Sequence, residues 1–209
     1  MRKSLKPAIL LLSCVLAAAA FLGCVKMDRA PVDKQFFALD VARPGEALPA
    51  AKGPALMVRR LQISPRVAGR ELVYKVGESG WTADYYNQFF TPPADMLSQD
   101  LRTWLRASGL YSNVVDPGSL LEPRLILEGN VTSLYGDLTA KPGTAVVQMQ
   151  FLLLDNAGAE RRVLMTRDVS ASAPLAGATP RDLVLALRTA VARCFGELEG
   201  ALRQVPPPQ

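Results

Sequence analysis

The stretch LILEGNVTSLYGDLTAKPGTAVVQMQFLLLDNAGAERRVLMTRDVSA, residues 125–171, decides how this chain folds. In its first part Leu125, Leu127, Gly129 and Val131 alternate with Ile126, Glu128, Asn130 and Thr132, so one face is mainly apolar. A period of two is the signature of a strand with one buried side. Val147, Met149, Phe151 and Leu153 point one way, with Gln148 and Gln150 opposite. Lys141-Pro142-Gly143 supplies a turn before this second strand. Asp155-Asn156-Ala157-Gly158 supplies a strong hairpin turn after it, and Arg162 to Ala171 returns as a third strand. The stretch reads as a meander. Tyr135-Gly136-Asp137 reads as a turn at a hairpin end.

Downstream, Thr179-Pro180-Arg181-Asp182 has the outline of a capping box: an N-cap, a proline at the first helical position and an acid at the third. Leu183, Leu187, Val191, Cys194, Leu198 and Leu202 then make one apolar stripe to about Leu202. Cys194 sits inside that stripe, which points to a buried, inert thiol. Upstream, Thr91-Pro92-Pro93 opens another helix, with Leu97, Leu101, Trp104 and Leu105 on one face and Gly109 placed to end it. Before it come Phe36 to Val41, Leu56 to Ile63 and Leu72 to Val76, all read as strands, with a flexible Ala/Pro/Gly connector at 42–54. Tyr111 to Val115 reads as a short extended piece. The order strands, helix, strands, helix predicts an α+β fold: a mainly antiparallel sheet packed against two helices in one domain.

The chain opens with Arg2, Lys3 and Lys6, followed by an apolar run from Ala8 to Leu22 and then Gly23-Cys24. A basic start, an apolar run and a small residue at the cleavage point mark an export signal. The run is shorter than the roughly 20 apolar residues a transmembrane helix needs. Phe21-Leu22-Gly23-Cys24 resembles the lipobox of bacterial lipoproteins, which implies that Cys24 is acylated and becomes the mature N-terminus. A rival reading through Leu11-Leu12-Ser13-Cys14 and an uncleaved anchor are the alternatives. The sequence divides into a signal peptide at 1–23, a lipidated tether at 24–34, an α+β domain at 35–203 and a proline-rich tail at 204–209.

The leader carries three of the 24 basic residues and none of the 19 acidic ones, so much of the formal charge of +5 leaves with it. No concentrated basic stripe is visible, which argues against nucleic-acid binding. The chain has no histidine, which removes Ser-His-Asp and Cys-His catalysis and the usual zinc ligand sets. No paired acidic motif stands out either, and no G-x-x-x-x-G-K-[ST] segment exists for nucleotide phosphates. A non-enzyme without cofactor or metal is the expectation.

Three segments carry a family resemblance: Leu72-Val73-Tyr74-Lys75-Val76-Gly77-Glu78, Asp84-Tyr85-Tyr86-Asn87-Gln88-Phe89, and Pro92-Pro93-Ala94-Asp95-Met96-Leu97. Together with Ser108-Gly109-Leu110 closing the first helix and Thr179-Pro180 opening the last, they resemble the ABC-type transport auxiliary lipoproteins, the relatives of PqiC. The resemblance covers about Gln35 to Leu202. It implies an accessory of a lipid-moving system: an ABC permease, its ATPase and an MCE-domain protein as partner, with the lipoprotein at the periplasmic face of the outer membrane. It also implies contact with phospholipid, and leaves a homo-oligomer open. A rival is a structural or docking subunit of an envelope assembly, pilotin-like or TolB-like, that handles no lipid.

Five aromatics fall in the ten residues Trp81 to Phe90. Tyrosine and tryptophan suit interfaces because an apolar body ends in a polar group. Trp81, Tyr86 and Phe90 are the candidate partner- or lipid-binding residues, while Tyr85 and Phe89 are expected to fill the space between sheet and first helix.

Overall fold

In the computed structural model, which describes residues 33–158 and 160–206, the chain forms nine strands and two α-helices. They are β1 (Gln35–Phe37), β2 (Leu56–Val58), β3 (Gln62–Ile63), β4 (Glu71–Lys75), β5 (Trp81–Phe89), α1 (Pro93–Ala107), β6 (Val114–Val115), β7 (Leu125–Asp137), β8 (Thr144–Asp155), β9 (Arg162–Pro174) and α2 (Pro180–Gln204). A 3₁₀ turn, Pro65–Val67, follows β3. The expected leader, Cys24 and most of the tether lie outside the described residues, as do residues 207–209 of the tail.

The meander is present: β7 pairs antiparallel with β8, and β8 with β9, along almost their whole lengths. Val147, Met149, Phe151 and Leu153 are all buried, as the alternation requires. Tyr135-Gly136-Asp137 is the last part of β7 rather than a turn, with Gly136 in register with Tyr74 of β4.

The other edge of β7 corrects the expected topology. Leu56–Val58 lies beside Leu125–Leu127, Gln62-Ile63 beside Asn130-Val131, and Tyr74-Lys75 beside Gly136-Asp137, all parallel. β1 runs parallel to β5, and β2 parallel to β6. Five of the eight pairings among the described residues are parallel, so the nine-stranded sheet is mixed. The reason is length. Pieces of two or three residues satisfy a few backbone groups of a long strand without forming hairpins of their own. The span read as one strand at 56–63 divides into β2 and β3 around the exposed Arg59-Arg60 pair.

Both helices pack on the apolar face. The α2 stripe is buried throughout, and Thr179 and Asp182 make the reciprocal cap: Thr179 N donates to Asp182 Oδ2 at 3.0 Å, and Asp182 N to Thr179 Oγ1 at 3.2 Å. In α1, Leu97, Leu101, Trp104 and Leu105 are buried, and Gly109 follows at φ +66°. A Cβ on Gly109 would come within 2.6 Å of Pro49 O, so position and conformation both demand glycine.

The connector at 42–54 is pinned rather than free. Leu48 N donates to Ala107 O and Ala51 N to Gly109 O, both at 3.0 Å. Arg43 grips Glu199 of α2 through two bonds, Nε to Oε2 at 2.9 Å and Nη2 to Oε1 at 3.0 Å. Glu199 also accepts from Trp104 Nε1 of α1 at 2.8 Å and from Arg203 Nη2 at 2.6 Å. Burial pushes the Glu199 carboxyl upward, but the bonds from Arg43, Arg203 and Trp104 outweigh it and hold the pKa down at about 2.

That depressed value fixes a sign. The stabilisation is present above the unfolded pKa of about 4.5 and is lost as pH falls toward 2. Glu199→Gln is expected to lower unfolding free energy at neutral pH by about 3 kcal/mol, as loss of one partner of a buried ion pair does. The variant should also lack the part of the acid dependence between pH 4.5 and 2 that Glu199 supplies; urea titrations at several pH values measure both.

Candidate functional site

The three candidate side chains occupy the two ends of β5, which at about 3.3 Å per residue are some 25 Å apart. At one end Trp81 pairs with Lys75 and is half-buried. Its ring meets Tyr135 edge-on, with centroids 4.8 Å apart at 69°, and the Arg66 guanidinium lies 4.7 Å from its centroid. Exposed Val76 follows β4, and Leu138, also exposed, donates its N–H to Lys75 O at 2.8 Å. Beside Leu138 a shallow cavity of about 480 Å³ is lined by Lys141, Pro142, Gly143 and Leu175.

At the other end Tyr86 and Phe90 are exposed, at 45% and 66%. Phe89 is buried as expected, but Tyr85 is not: it is 62% exposed. The register explains the difference. Glu71 pairs with Gln88 while its neighbour Leu72 pairs with Asp84, so residues 85–87 are unmatched on the β4 side. Asp84 holds this bulge with its own carboxylate, accepting from Tyr86 N and Asn87 N at 3.0 Å and from Asn87 Nδ2 at 2.9 Å. Simple alternation therefore fails there, and both tyrosines leave the core.

Two residues that sequence reasoning passed over complete this second surface. Phe36 of β1 is in register with Gln88, which puts it on the same outer face as Phe90; the two rings meet edge-on at 6.3 Å. Lys34 places Nζ 3.8 Å from the Tyr85 ring centroid, and the Arg70 guanidinium lies 5.1 Å from that of Phe36. Arg70 is itself fixed by its Nε bond to Phe89 O at 2.9 Å. The signal for Phe36 lay in the adjacent pair Phe36-Phe37, since neighbours on a strand point to opposite faces.

Elsewhere, burial, then the nearby Glu197 charge, pushes the Cys194 thiol up to about 12, the state of a packed rather than reactive cysteine. Burial, then the Asp84 charge, raises Tyr74 to about 12. Among the described residues no group of Cys, Asp and Glu converges as a metal site, and no helix is long and apolar enough to cross a membrane.

A mixed sheet with helices on one face, carrying exposed aromatic and apolar groups at its ends, defines an α+β domain. The chain belongs to the family of ABC-type transport auxiliary lipoprotein components, whose model matches residues 37–198. Among solved structures it is similar to protein XCC0632 from Xanthomonas campestris, at 17% identity over 80% of this chain and 94% of that one, with a TM-score of 0.69. It is also similar to hypothetical protein CT253 from Chlamydia trachomatis, at 10% identity over 73% and 98%, with a TM-score of 0.53. At these identities the likeness is one of fold. Comparison with curated proteins finds no match.

The exposed and buried aromatics should separate cleanly in stability measurements. Tyr86→Ser and Phe90→Ser are expected to leave unfolding free energy within about 0.5 kcal/mol of the parent. Phe89→Ala, which empties a buried site, should cost about 3–5 kcal/mol in the same denaturant titration.

Proposed function

We propose that this protein is a non-catalytic lipoprotein accessory of an MCE/ABC-type lipid transport system, held by acylated Cys24 at the periplasmic face of the outer membrane. The observation that carries this reading is the family match over residues 37–198, which makes the chain an auxiliary transport component. The lipobox-like Phe21-Leu22-Gly23-Cys24 supplies the anchor. Two or more acyl chains give stable membrane attachment at about 0.8 kcal/mol per buried methylene.

The partner surface is the Trp81 end of β5. Trp81 with Tyr135 on one face of the sheet, and exposed Val76 and Leu138, the latter beside the Leu175 cavity, all lie at this end, and apolar and aromatic groups of this kind form the centre of protein interfaces. The occupant is the MCE-domain protein, and the energy for transport comes from the ATPase of the same system. Phospholipid is the cargo the accessory helps to pass.

Affinity capture of the natively lipidated protein from solubilised envelopes, followed by mass spectrometry, tests this. An MCE-domain protein and bound phospholipid are expected in the eluate. Envelope partners of another kind, with no lipid above background, would instead support a docking subunit. Cys24→Ser is expected to release the protein from the membrane fraction and abolish incorporation of labelled palmitate.

A further inference from the structure

We propose that the other end of β5, the surface formed by Phe36, Tyr85, Tyr86 and Phe90, rests on the phospholipid bilayer and orients the domain on its membrane. This deepens the proposed function and rests on its acylated Cys24. Four exposed aromatics in one corner of a sheet are a concentration that water alone does not favour. They are arranged outward: the Asp84-held bulge ejects both tyrosines, and β1–β5 register puts Phe36 and Phe90 on the face opposite buried Phe89.

The chain itself says what covers this corner. The folded unit begins at Lys34, and Lys34 lies over the Tyr85 ring. Nine residues lie between Cys24 and Lys34, and the ten steps from one to the other reach at most about 35 Å when fully extended. A lipid on Cys24 therefore keeps this corner within about one bilayer thickness of the surface. The chemistry fits as well. Phenylalanine and tyrosine settle at the boundary of acyl chains and headgroups, and Lys34 and Arg70 carry apolar stems ending in cations that reach phosphate. Asp33, Glu71 and Asp84 lie nearby in sequence, three carboxylates against two cations, so the patch has no net positive charge and the contact rests on the rings. It should accordingly persist at high salt.

The test uses the full lipidated chain in vesicles of phosphatidylethanolamine and phosphatidylcholine. A polarity-sensitive fluorophore is attached to Tyr85→Cys, Phe90→Cys or, as control, Glu78→Cys in the turn at the opposite end of β5. Buried Cys194 does not compete for the label. Labels at 85 and 90 are expected to shift to the blue in vesicles and to be quenched by nitroxide-bearing lipid, with the label at 78 unmoved. If the protein floats with vesicles while labels 85 and 90 stay aqueous, the proposal is wrong and the anchor stands. Failure to float overturns the anchor, and the proposal with it. A blue shift without vesicles would assign the corner to a second copy of the chain and overturn the proposal.

Discussion

Thirteen residues of β7 carry backbone donors and acceptors toward both edges, and the fold follows from how each edge is satisfied. One edge is taken by β8 in a long antiparallel ladder. The other is filled piecewise: β2, β3 and β4 dock in chain order, all parallel, along successive segments of β7. This choice places β4, and hence the β4–β5 hairpin, at the far end of β7. Both aromatic surfaces owe their position to it. Gly129 in mid-strand is part of the same constraint, because a Cβ there would meet Leu61 at 2.5 Å and Phe151 at 2.9 Å. Close approach of strand and core side chains leaves room only for glycine.

The helices are tied to this frame by packing and by one polar node. Glu199, itself buried, joins Arg43 of the connector, Trp104 of α1 and Arg203 of its own helix. Trp104 also meets Phe195 edge-on at 5.7 Å, so the node continues into the apolar core. Nearby, Leu39 N donates to Met96 Sδ and Val41 N to Asp100 Oδ2, which fixes the segment leading from β1 across α1. The N-terminal side of the fold is thus gripped close to where it begins.

Much of this was legible in the residues, for local reasons. Period-two alternation marked β7 and β8, an apolar stripe marked each helix, and Thr179 with Asp182 announced the cap. Parallel pairing was not legible, because strands of two or three residues show no period and their partners lie tens of residues away. The aromatic segment was legible in composition and not in geometry. Alternation predicted a buried Tyr85, whereas Asp84 folds its carboxylate back on the strand and turns two consecutive tyrosines outward. Trp81 and Phe90 looked like one cluster in sequence, but an extended strand carries them to opposite ends.

The two ends of β5 give the domain a direction, one surface beside Lys34, where the folded unit begins, and one remote from it. The central claim is that the remote end receives an MCE-domain partner. Site-specific photo-crosslinking from Val76 in intact envelopes tests it most directly, since that side chain is exposed at the Trp81 end of the β4–β5 hairpin. The account predicts an adduct with the MCE-domain protein that is absent when the photoprobe sits at Phe90. An adduct from Phe90 and none from Val76 would contradict it.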